Sequence, residues 1–161
     1  MRKVVVNTTP LIALSEIGKL DILKKMYGEI FIPDAVLNEV KTEPAFSEVR
    51  NFADWIHVEG VQDRSQEKIF RSRLHAGEVE VMLLALQSDA DLVILDDMLA
   101  RKTAKYMGLT VSGTLGVLLK AKERGIITKV EPVMEELIQN GLYVSKDIQR
   151  SVLKLANENI H

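Results

Sequence analysis

The sequence contains no cysteine, only four prolines and few aromatic residues, which make up 5% of its 161 positions. Without cysteine, a disulfide framework, a thiolate zinc site and a thiolate nucleophile are all excluded. No apolar run reaches the length of about 20 residues that a membrane-spanning helix needs. The charged start, Met1-Arg2-Lys3, is followed by only three valines, too few for a secretory signal peptide. These absences predict a cytoplasmic protein with no membrane partner.

Other signals of common function are also missing. No Gly-x-Gly-x-x-Gly or Walker A stretch is present, and His57, His75 and His161 do not have the spacing of zinc ligands. The net charge of −2 argues against a broadly basic nucleic-acid binder, although it leaves room for local basic patches. With 47% hydrophobic and 27% charged residues, the chain has an ordinary globular composition. Its length predicts one domain over residues 1–161, with a helical C-terminal extension from about residue 130.

Short apolar runs alternate with longer amphipathic segments along the chain. The runs are too far apart for hairpins and are mostly separated by helical patterns, which favours crossover connections between parallel strands. The predicted fold class is therefore α/β, with three layers (α/β/α) around a mainly parallel, five-stranded sheet. Strands are predicted at residues 3–6, 30–32, 56–58, 92–95 and 109–111. Helices are predicted from Pro10 onward after a cap at Thr9, and over residues 34–41, 67–74, 77–87, 97–107, 113–124, 133–139 and 146–157.

Polar residues follow two of the predicted strands directly. Asn7 follows the first strand, and Asp96 and Asp97 follow the fourth. In an open parallel sheet, chemistry lies at the carboxyl ends of the strands where the strand order reverses. Asp97 is also suited to cap the next helix, but only one of two adjacent acids can take that position, so Asp96 is the better ligand candidate. Asn7 is alternatively a turn residue at a strand end.

Two glutamates lie on helices beside apolar positions. Glu78 is in the first turn of its helix and shares a face with Val81 and Met82, where a carboxylate is costly to bury without compensation. Its alternative role is a favourable first-turn charge near the helix N-terminus. Glu39 lies on the edge of the apolar face of the 34–41 helix, and its alternative is a solvated surface glutamate.

Taken together, Asn7, Glu39, Glu78 and Asp96 offer oxygen ligands from two strand ends and two helix edges, with Asp97 as a further donor. Oxygen donors with carboxylates in close proximity suit a hard divalent cation, Mg²⁺ or Mn²⁺. In a nuclease such an ion binds a phosphate oxygen and makes water a better nucleophile.

Four short motifs, in this order, resemble a PIN-like subfamily marked by D-[ST]-[ST]-P-L, G-E-x-E, D-D-x-x-A-R and G-T-L-G-V-L. Here they read NTTPL from Asn7, GEVE from Gly77, DDMLAR from Asp96 and GTLGVL from Gly113. Each motif is weak alone, but their order and spacing are specific. The resemblance covers nearly the whole chain and implies a Mg²⁺- or Mn²⁺-dependent ribonuclease, of a kind common among the toxins of toxin–antitoxin pairs.

The resemblance also implies roles for single residues. The acids of the family fall on Glu39, Glu78 and Asp96, with Asp97 as a possible fourth ligand, and its small hydroxyl falls on Thr9. Its first aspartate falls on Asn7, which offers a carbonyl oxygen but no negative charge, so that cleavage is expected to be weakened. By the same resemblance the partners are RNA and a small antitoxin protein, and the chain is expected to form a homodimer.

Basic residues flank the two acidic motifs. Arg73 precedes Glu78 and Arg101 follows Asp97, and both are candidates for holding substrate phosphates, as is Thr9 for contacting substrate. The alternative for the arginines is a solvated helix face, and for Thr9 a helix cap.

Two other functions remain open from the sequence. One is a PIN-like module that binds RNA or a protein without cutting, which Asn7 favours. The other is a receiver-type domain phosphorylated at Asp96, although such domains usually have an acidic pair after the first strand.

Overall fold

The computed structural model describes residues 2–44 and 54–159, and its centre is a five-stranded parallel sheet. The strand order across the sheet is β3-β2-β1-β4-β5. In chain order the strands are β1 (Val4–Val6), β2 (Ile30–Ile32), β3 (Ile56–Val58), β4 (Leu92–Ile94) and β5 (Val111–Ser112). The predicted α/β architecture is confirmed.

Helices connect and flank these strands. They are α1 (Thr8–Glu16), α2 (Asp21–Tyr27), α3 (Asp34–Val40), α4 (Glu67–Arg71), α5 (Ala76–Gln87), α6 (Met98–Tyr106), α7 (Thr114–Glu123), α8 (Val130–Gln139) and α9 (Lys146–Leu155). In the described part of the chain, none of them combines the length and the apolar character needed to cross a bilayer.

The central strand β1 explains why the chain begins with three valines. β1 pairs with β2 on one side and with β4 on the other. Its three side chains are fully buried, because neighbours close both edges of the strand and helices cover the sheet. β-branched side chains suit this extended, crowded position.

Two predicted boundaries differ from the structure for local reasons. Helix α1 begins at Thr8 with Asn7 at the N-cap position, so Thr9 lies inside the first turn and the predicted Thr9 cap is wrong. Strand β5 begins at Val111 rather than at residue 109, because the Leu109 N–H donates to the carbonyl of Ala104 and closes α6 instead.

Helix α2 was not assigned from the sequence. It has only seven residues and ends at Gly28, whose φ of 77° lies in the left-handed region. Ile22, Leu23 and Met26 are buried in the core, so tertiary packing rather than local pattern stabilises this helix.

The strand order places the switch point of the sheet between β1 and β4. The chain proceeds from β1 outward through β2 and β3, and then returns to the other side of β1 to form β4 and β5. Val6 lies opposite Ile94, so Asn7 and Asp96 leave neighbouring strands at the same edge. This edge is where a doubly wound sheet opens a crevice between its loops.

Candidate functional site

Asn7 lies at the carboxyl end of β1 and is almost completely buried, with 3% of its surface exposed. Its backbone N–H donates to the carbonyl of Ile94 at 2.9 Å, which continues the β1–β4 pairing by one residue. Although Asn7 is the N-cap of α1, its side chain makes no capping hydrogen bond. Its Oδ1 atom is buried and has no hydrogen-bond partner among residues 2–44 and 54–159.

An unpartnered buried carbonyl oxygen is unfavourable, typically by about 1–3 kcal/mol. The turn interpretation of Asn7 would have given this oxygen a backbone donor, and the structure does not show one. The neighbouring Thr8 hydroxyl is also buried without a partner, so two polar atoms at the start of α1 are left unsatisfied. Such atoms in a native fold often mark a site where a ligand, ion or water completes the bonding.

Glu78 is the most deeply buried acidic residue of the site, with 6% exposure. It is the third residue of α5, and its Oε1 accepts a long hydrogen bond from the His75 backbone N–H at 3.4 Å. The His75 ring lies 3.4 Å from Oε2. Burial raises the pKa of Glu78, and the charges of Asp97 and Glu39 raise it further, against the lowering influence of His75.

Glu39 reaches the start of α5 from α3. A Cβ atom built on Gly77 would lie 2.2 Å from the Glu39 Oε1 atom, so the absence of a side chain at Gly77 admits this carboxylate. Glu39 is half-buried. Taken alone, its position in the sequence had favoured a solvated surface glutamate. The charge of Glu39 is one of the causes that raise the pKa of Glu78, after burial and Asp97.

Replacing Gly77 by alanine is expected to displace Glu39 without unfolding the helix. Alanine is the better helix former by up to about 1 kcal/mol, and the clashing atom is the end of a flexible side chain. With Glu39 moved away, the pKa of Glu78 should fall toward its ordinary value, as measured by NMR titration of labelled carboxyl groups. Gly116→Ala is the matched control, because its Cβ would meet only the Ser112 side chain. An unchanged Glu78 pKa in Gly77→Ala would show that Glu39 contributes nothing to it.

Asp96 follows β4 and is bound to the N-terminus of α7. Its Oδ1 accepts from the Thr114 backbone N–H at 2.8 Å, and its Oδ2 accepts from the Thr114 hydroxyl at 2.7 Å. A Cβ on Gly113 would lie 2.8 Å from Asp96 Oδ1, so Gly113 permits the close approach. Both carboxylate oxygens therefore have a donor, and each keeps a lone pair for a further partner.

Thr114→Val is expected to destabilise the protein by about 1.5–3 kcal/mol, the usual range for a hydrogen bond to a charged group. Thr114 is fully buried, and valine keeps its shape while removing the donor to Asp96. Urea unfolding at neutral pH measures the loss. Thr114→Ser keeps the hydroxyl and should retain most of the stability, whereas equal losses in both variants would place the effect in packing.

Asp97 is the N-cap of α6. Its Oδ2 accepts from the Ala100 backbone N–H at 2.9 Å, as the capping alternative predicted. Its other oxygen makes no capping bond. The charge of Asp97 raises the pKa of Glu78. Asp97 is exposed, whereas Asp96 is half-buried beside it.

Several of these side chains line one cavity of about 680 Å³, here called the acid cavity. It is lined by Thr9, Arg73, His75, Glu78, Asp96, Asp97, Leu99, Gly141, Leu142 and Tyr143. Three of the predicted acids, together with Thr9 and Arg73, therefore share one space. Of the other predicted site residues, Asn7, Glu39 and Arg101 do not line it: Glu39 lies against Gly77 at the start of α5, and Arg101 lies against Gly113 with its Nη1 beside the position that a Cβ would take.

The sequence did not single out His75 or the loop from Gly141 to Tyr143. His75 was considered only as a zinc ligand, yet it precedes a helix whose third residue is Glu78, a spacing typical of a capping pair. The loop joins α8 to α9 and is brought to the cavity by tertiary packing alone. No local pattern connects it with the acidic motifs, which begin at Gly77 and at Asp96.

The donors at the site suit a hard divalent cation in their chemistry. They are oxygen atoms. A positive ion would give the unpartnered Asn7 Oδ1 a partner and would lower the raised pKa of Glu78. Within residues 2–44 and 54–159, no group of three or more His, Cys, Asp or Glu side chains is placed to hold a metal ion. The fit therefore depends on Asn7 and on retained water completing the ligand set, as Mg²⁺ commonly allows.

The parallel, doubly wound sheet has carboxylates near its switch point, where open α/β sheets bind their ligands. A family model for DUF3368, described as a PIN domain, matches residues 3–158. No curated protein matches the chain. Among solved structures, a PilT N-terminus domain protein from the hyperthermophilic archaeon Sulfolobus solfataricus P2 is similar, with 13% identity and a TM-score of 0.49 over 88% of this chain and 98% of that one.

The chain belongs to the PIN-domain family, because the family model spans nearly all of it. This confirms the family that the four motifs predicted, and it leaves the receiver-type alternative without support. PIN domains are typically nucleases, bind nucleic acids and generally use divalent metal ions.

Proposed function

We propose that the protein is a metal-dependent ribonuclease of the PIN type that uses Mg²⁺ or Mn²⁺. The observation that carries the proposal is the buried, unpartnered Oδ1 of Asn7 at the switch point of the sheet, where Asp96 leaves the neighbouring strand. Glu78 supports it, since a buried carboxylate whose pKa is raised by like charges needs a compensating partner.

The residues divide into three roles. Asn7, Glu39, Glu78 and Asp96, with Asp97 at the exposed side, would hold the ion. When bound, the divalent ion supplies charge neutralisation at the phosphate and a lowered pKa for an attacking water. The positive ion would offset the burial of the Glu78 carboxylate and its repulsion by Asp97 and Glu39. Arg73, which lines the acid cavity, would hold a phosphate, and the exposed Thr9 would contact the substrate backbone. Arg101 is proposed to help orient Asp96 across Gly113 as well as to contact substrate.

The direct test is cleavage of a fluorescently labelled single-stranded RNA by the purified chain, with Mn²⁺ or with EDTA. Slow cleavage in Mn²⁺ that stops in EDTA is the expected result. Full retention of intact RNA at micromolar protein and millimolar Mn²⁺ would refute a nuclease. Melting temperature with and without Mn²⁺ gives a separate readout, because binding to the native state alone raises it.

A second candidate is a PIN domain that binds RNA or a protein but does not cut. Two observations favour it: Asn7 carries no charge, and both Asp96 oxygens already accept hydrogen bonds from Thr114. RNA binding without cleavage in any divalent ion would select this candidate.

We also propose that the protein is the toxin of a toxin–antitoxin pair and forms a homodimer. The family membership supports the first part. For the dimer, Ile148 and Leu155 are exposed seven residues apart and share one face of α9, where a second copy could cover them. A short reading frame beside the gene, whose product co-purifies with the chain and blocks cleavage, would support the pair. Light scattering of the purified chain tests the dimer, and a monomeric mass would refute it.

A further inference from the structure

A second cavity opens beside the acid cavity, between helices α4 and α6. It has a volume of about 610 Å³, within the range of about 300–1,000 Å³ that is common for ligand sites. We call it the α4–α6 cleft. Its apolar walls are Ile69, Phe70 and Leu74 on one side and Leu99, Tyr106 and Met107 on the other.

The α4–α6 cleft and the acid cavity meet along a shared border. Arg73 and Leu99 line both of them. A ligand that runs from the cleft into the acid cavity would therefore pass Arg73 on its way to Glu78, Asp96 and Asp97.

The cleft carries positive charge along with its apolar surface. Arg73 and Lys102 line it, and no carboxylate of the described residues does. Within the described ranges neither cation has an ion-pair partner, whereas other basic side chains such as Arg64 and Lys122 are paired with glutamates. Unpaired cations beside an apolar wall suit a ligand with anionic groups and flat apolar faces.

Two tyrosines border this continuous surface, one at each cavity. Tyr106 borders the cleft and is 90% exposed, and Tyr143 borders the acid cavity and is 89% exposed. Two of the three tyrosines in the chain therefore have exposed rings beside these cavities. An exposed aromatic ring without a partner offers a face on which a nucleic-acid base can stack.

We propose that the α4–α6 cleft and the acid cavity together form a track for single-stranded RNA. Unpaired bases stack on Tyr106 and Tyr143, and Arg73 and Lys102 hold the phosphates that lead to the acids. This inference rests on the proposed nuclease function for the direction of the track, and it adds the α4–α6 cleft, with Tyr106 and Lys102, as a binding surface beyond the acid cavity. Duplex RNA is a poor ligand for such a track, because its bases are already stacked and paired.

The charges favour RNA over a protein helix as the occupant. An amphipathic protein segment would also fill the apolar part of the cleft. The cleft, however, continues into a cavity lined by polar and charged groups, and its own charges are the two cations. A strand of phosphates and bases complements both parts, whereas an apolar helix face complements only the first.

The test is binding of a labelled single-stranded RNA of about ten nucleotides, a length within the site sizes of known single-strand binders. Fluorescence anisotropy is measured in EDTA, so that cleavage does not enter the result. Tyr106→Ala and Tyr143→Ala are each expected to weaken binding about tenfold, and Arg73→Ala with Lys102→Ala to flatten its salt dependence. Tyr106→Phe keeps the stacking face and should bind as the wild type does. Lys154→Ala removes an exposed charge on α9 as the control.

The outcomes separate this inference from the proposed function. Duplex RNA of the same sequence that competes as well as the single strand would overturn the track, as would unchanged binding in both tyrosine variants; the cleft would then be assigned to a protein. RNA binding that depends on both tyrosines, without cleavage in Mn²⁺, would retain the track and refute the nuclease. Circular dichroism checks the folding of the variants, which is expected to be unchanged since both rings are exposed.

Discussion

Replacing Asn7 by aspartate is expected to tighten Mn²⁺ binding by at least about tenfold and to increase RNA cleavage. The substitution nearly keeps the shape of the side chain while adding one negative charge at a buried position, at the sheet edge where Asp96 leaves the neighbouring strand. A pair of unit charges about 4 Å apart is worth about 4 kcal/mol at an effective dielectric of about 20. Even a net gain of about 1.4 kcal/mol, after desolvation and relaxation, corresponds to a tenfold change in affinity.

Without metal, the same substitution should have the opposite effect on stability. Asn7 is 3% exposed, so an aspartate there is a buried charge without a partner. Burial of an uncompensated charge costs about 3–5 kcal/mol or forces the group to remain protonated. The melting temperature of Asn7→Asp should therefore be below that of the wild type in EDTA, and should rise more strongly on addition of Mn²⁺.

Titration calorimetry with Mn²⁺ and melting curves in EDTA measure these two effects on the same protein samples. Asn38→Asp is the matched control, because it adds the same charge at an exposed position of α3. Its stability should change by no more than about 0.5 kcal/mol. Equal Mn²⁺ affinity of Asn7→Asp and wild type would remove Asn7 from the ligand set.

Glu78→Gln is expected to abolish most cleavage while stabilising the metal-free protein at neutral pH. Cleavage should fall by about a hundredfold, because the carboxylate that would hold the ion is replaced by a neutral amide, and loss of even an outer-shell partner of a metal costs about 10–100-fold. Stability should rise because glutamine needs no desolvation of a charge and is not repelled by Asp97 and Glu39.

The pH dependence of this stabilisation follows from the direction of the pKa shift. The pKa of Glu78 is raised in the folded state by burial and then by the acids near it, so the folded protein binds this proton more tightly than the unfolded chain. The resulting stability is present below the unfolded glutamate pKa of about 4.3 and is lost as the pH rises through the folded value. The advantage of Glu78→Gln should accordingly appear as the pH rises and vanish in acid.

Urea unfolding of both proteins in EDTA, from pH 4 to pH 8, measures this difference. Glu135→Gln removes an exposed carboxylate from α8 and should show no comparable dependence. A wild-type protein that remains as stable as Glu78→Gln at neutral pH would mean that the Glu78 charge is compensated without metal.

The sequence predicted the position of Asp96 but not its partners. Asp96 was identified because it follows an apolar strand, but the two hydrogen bonds that it accepts from Thr114 were not predicted, since they join residues 18 positions apart. The motif containing Thr114 was visible in the sequence, whereas its bond to a strand-end acid depends on β5 lying beside β4.

For Asn7, too, the sequence predicted the position of the residue but not the surroundings of its side chain. The sequence predicted its position at the end of a buried strand and left open whether it was a turn residue. Only the folded chain shows that its Oδ1 has no donor, because that result depends on every neighbouring group at once.

By itself the sequence determined the elements and their class. Periodicity and spacing identified five strands and most helices, and the separation of the strands favoured parallel connections, because these are local or topological consequences of the chain. It also placed acids at strand ends and in the first turn of α5. Only the tertiary structure decided that Glu39 reaches Glu78 through the space left at Gly77, and that the α8–α9 loop and the α4–α6 cleft adjoin the acids. The physical reason is that those contacts join segments far apart in the chain, whose proximity follows from packing rather than from any pattern within one segment.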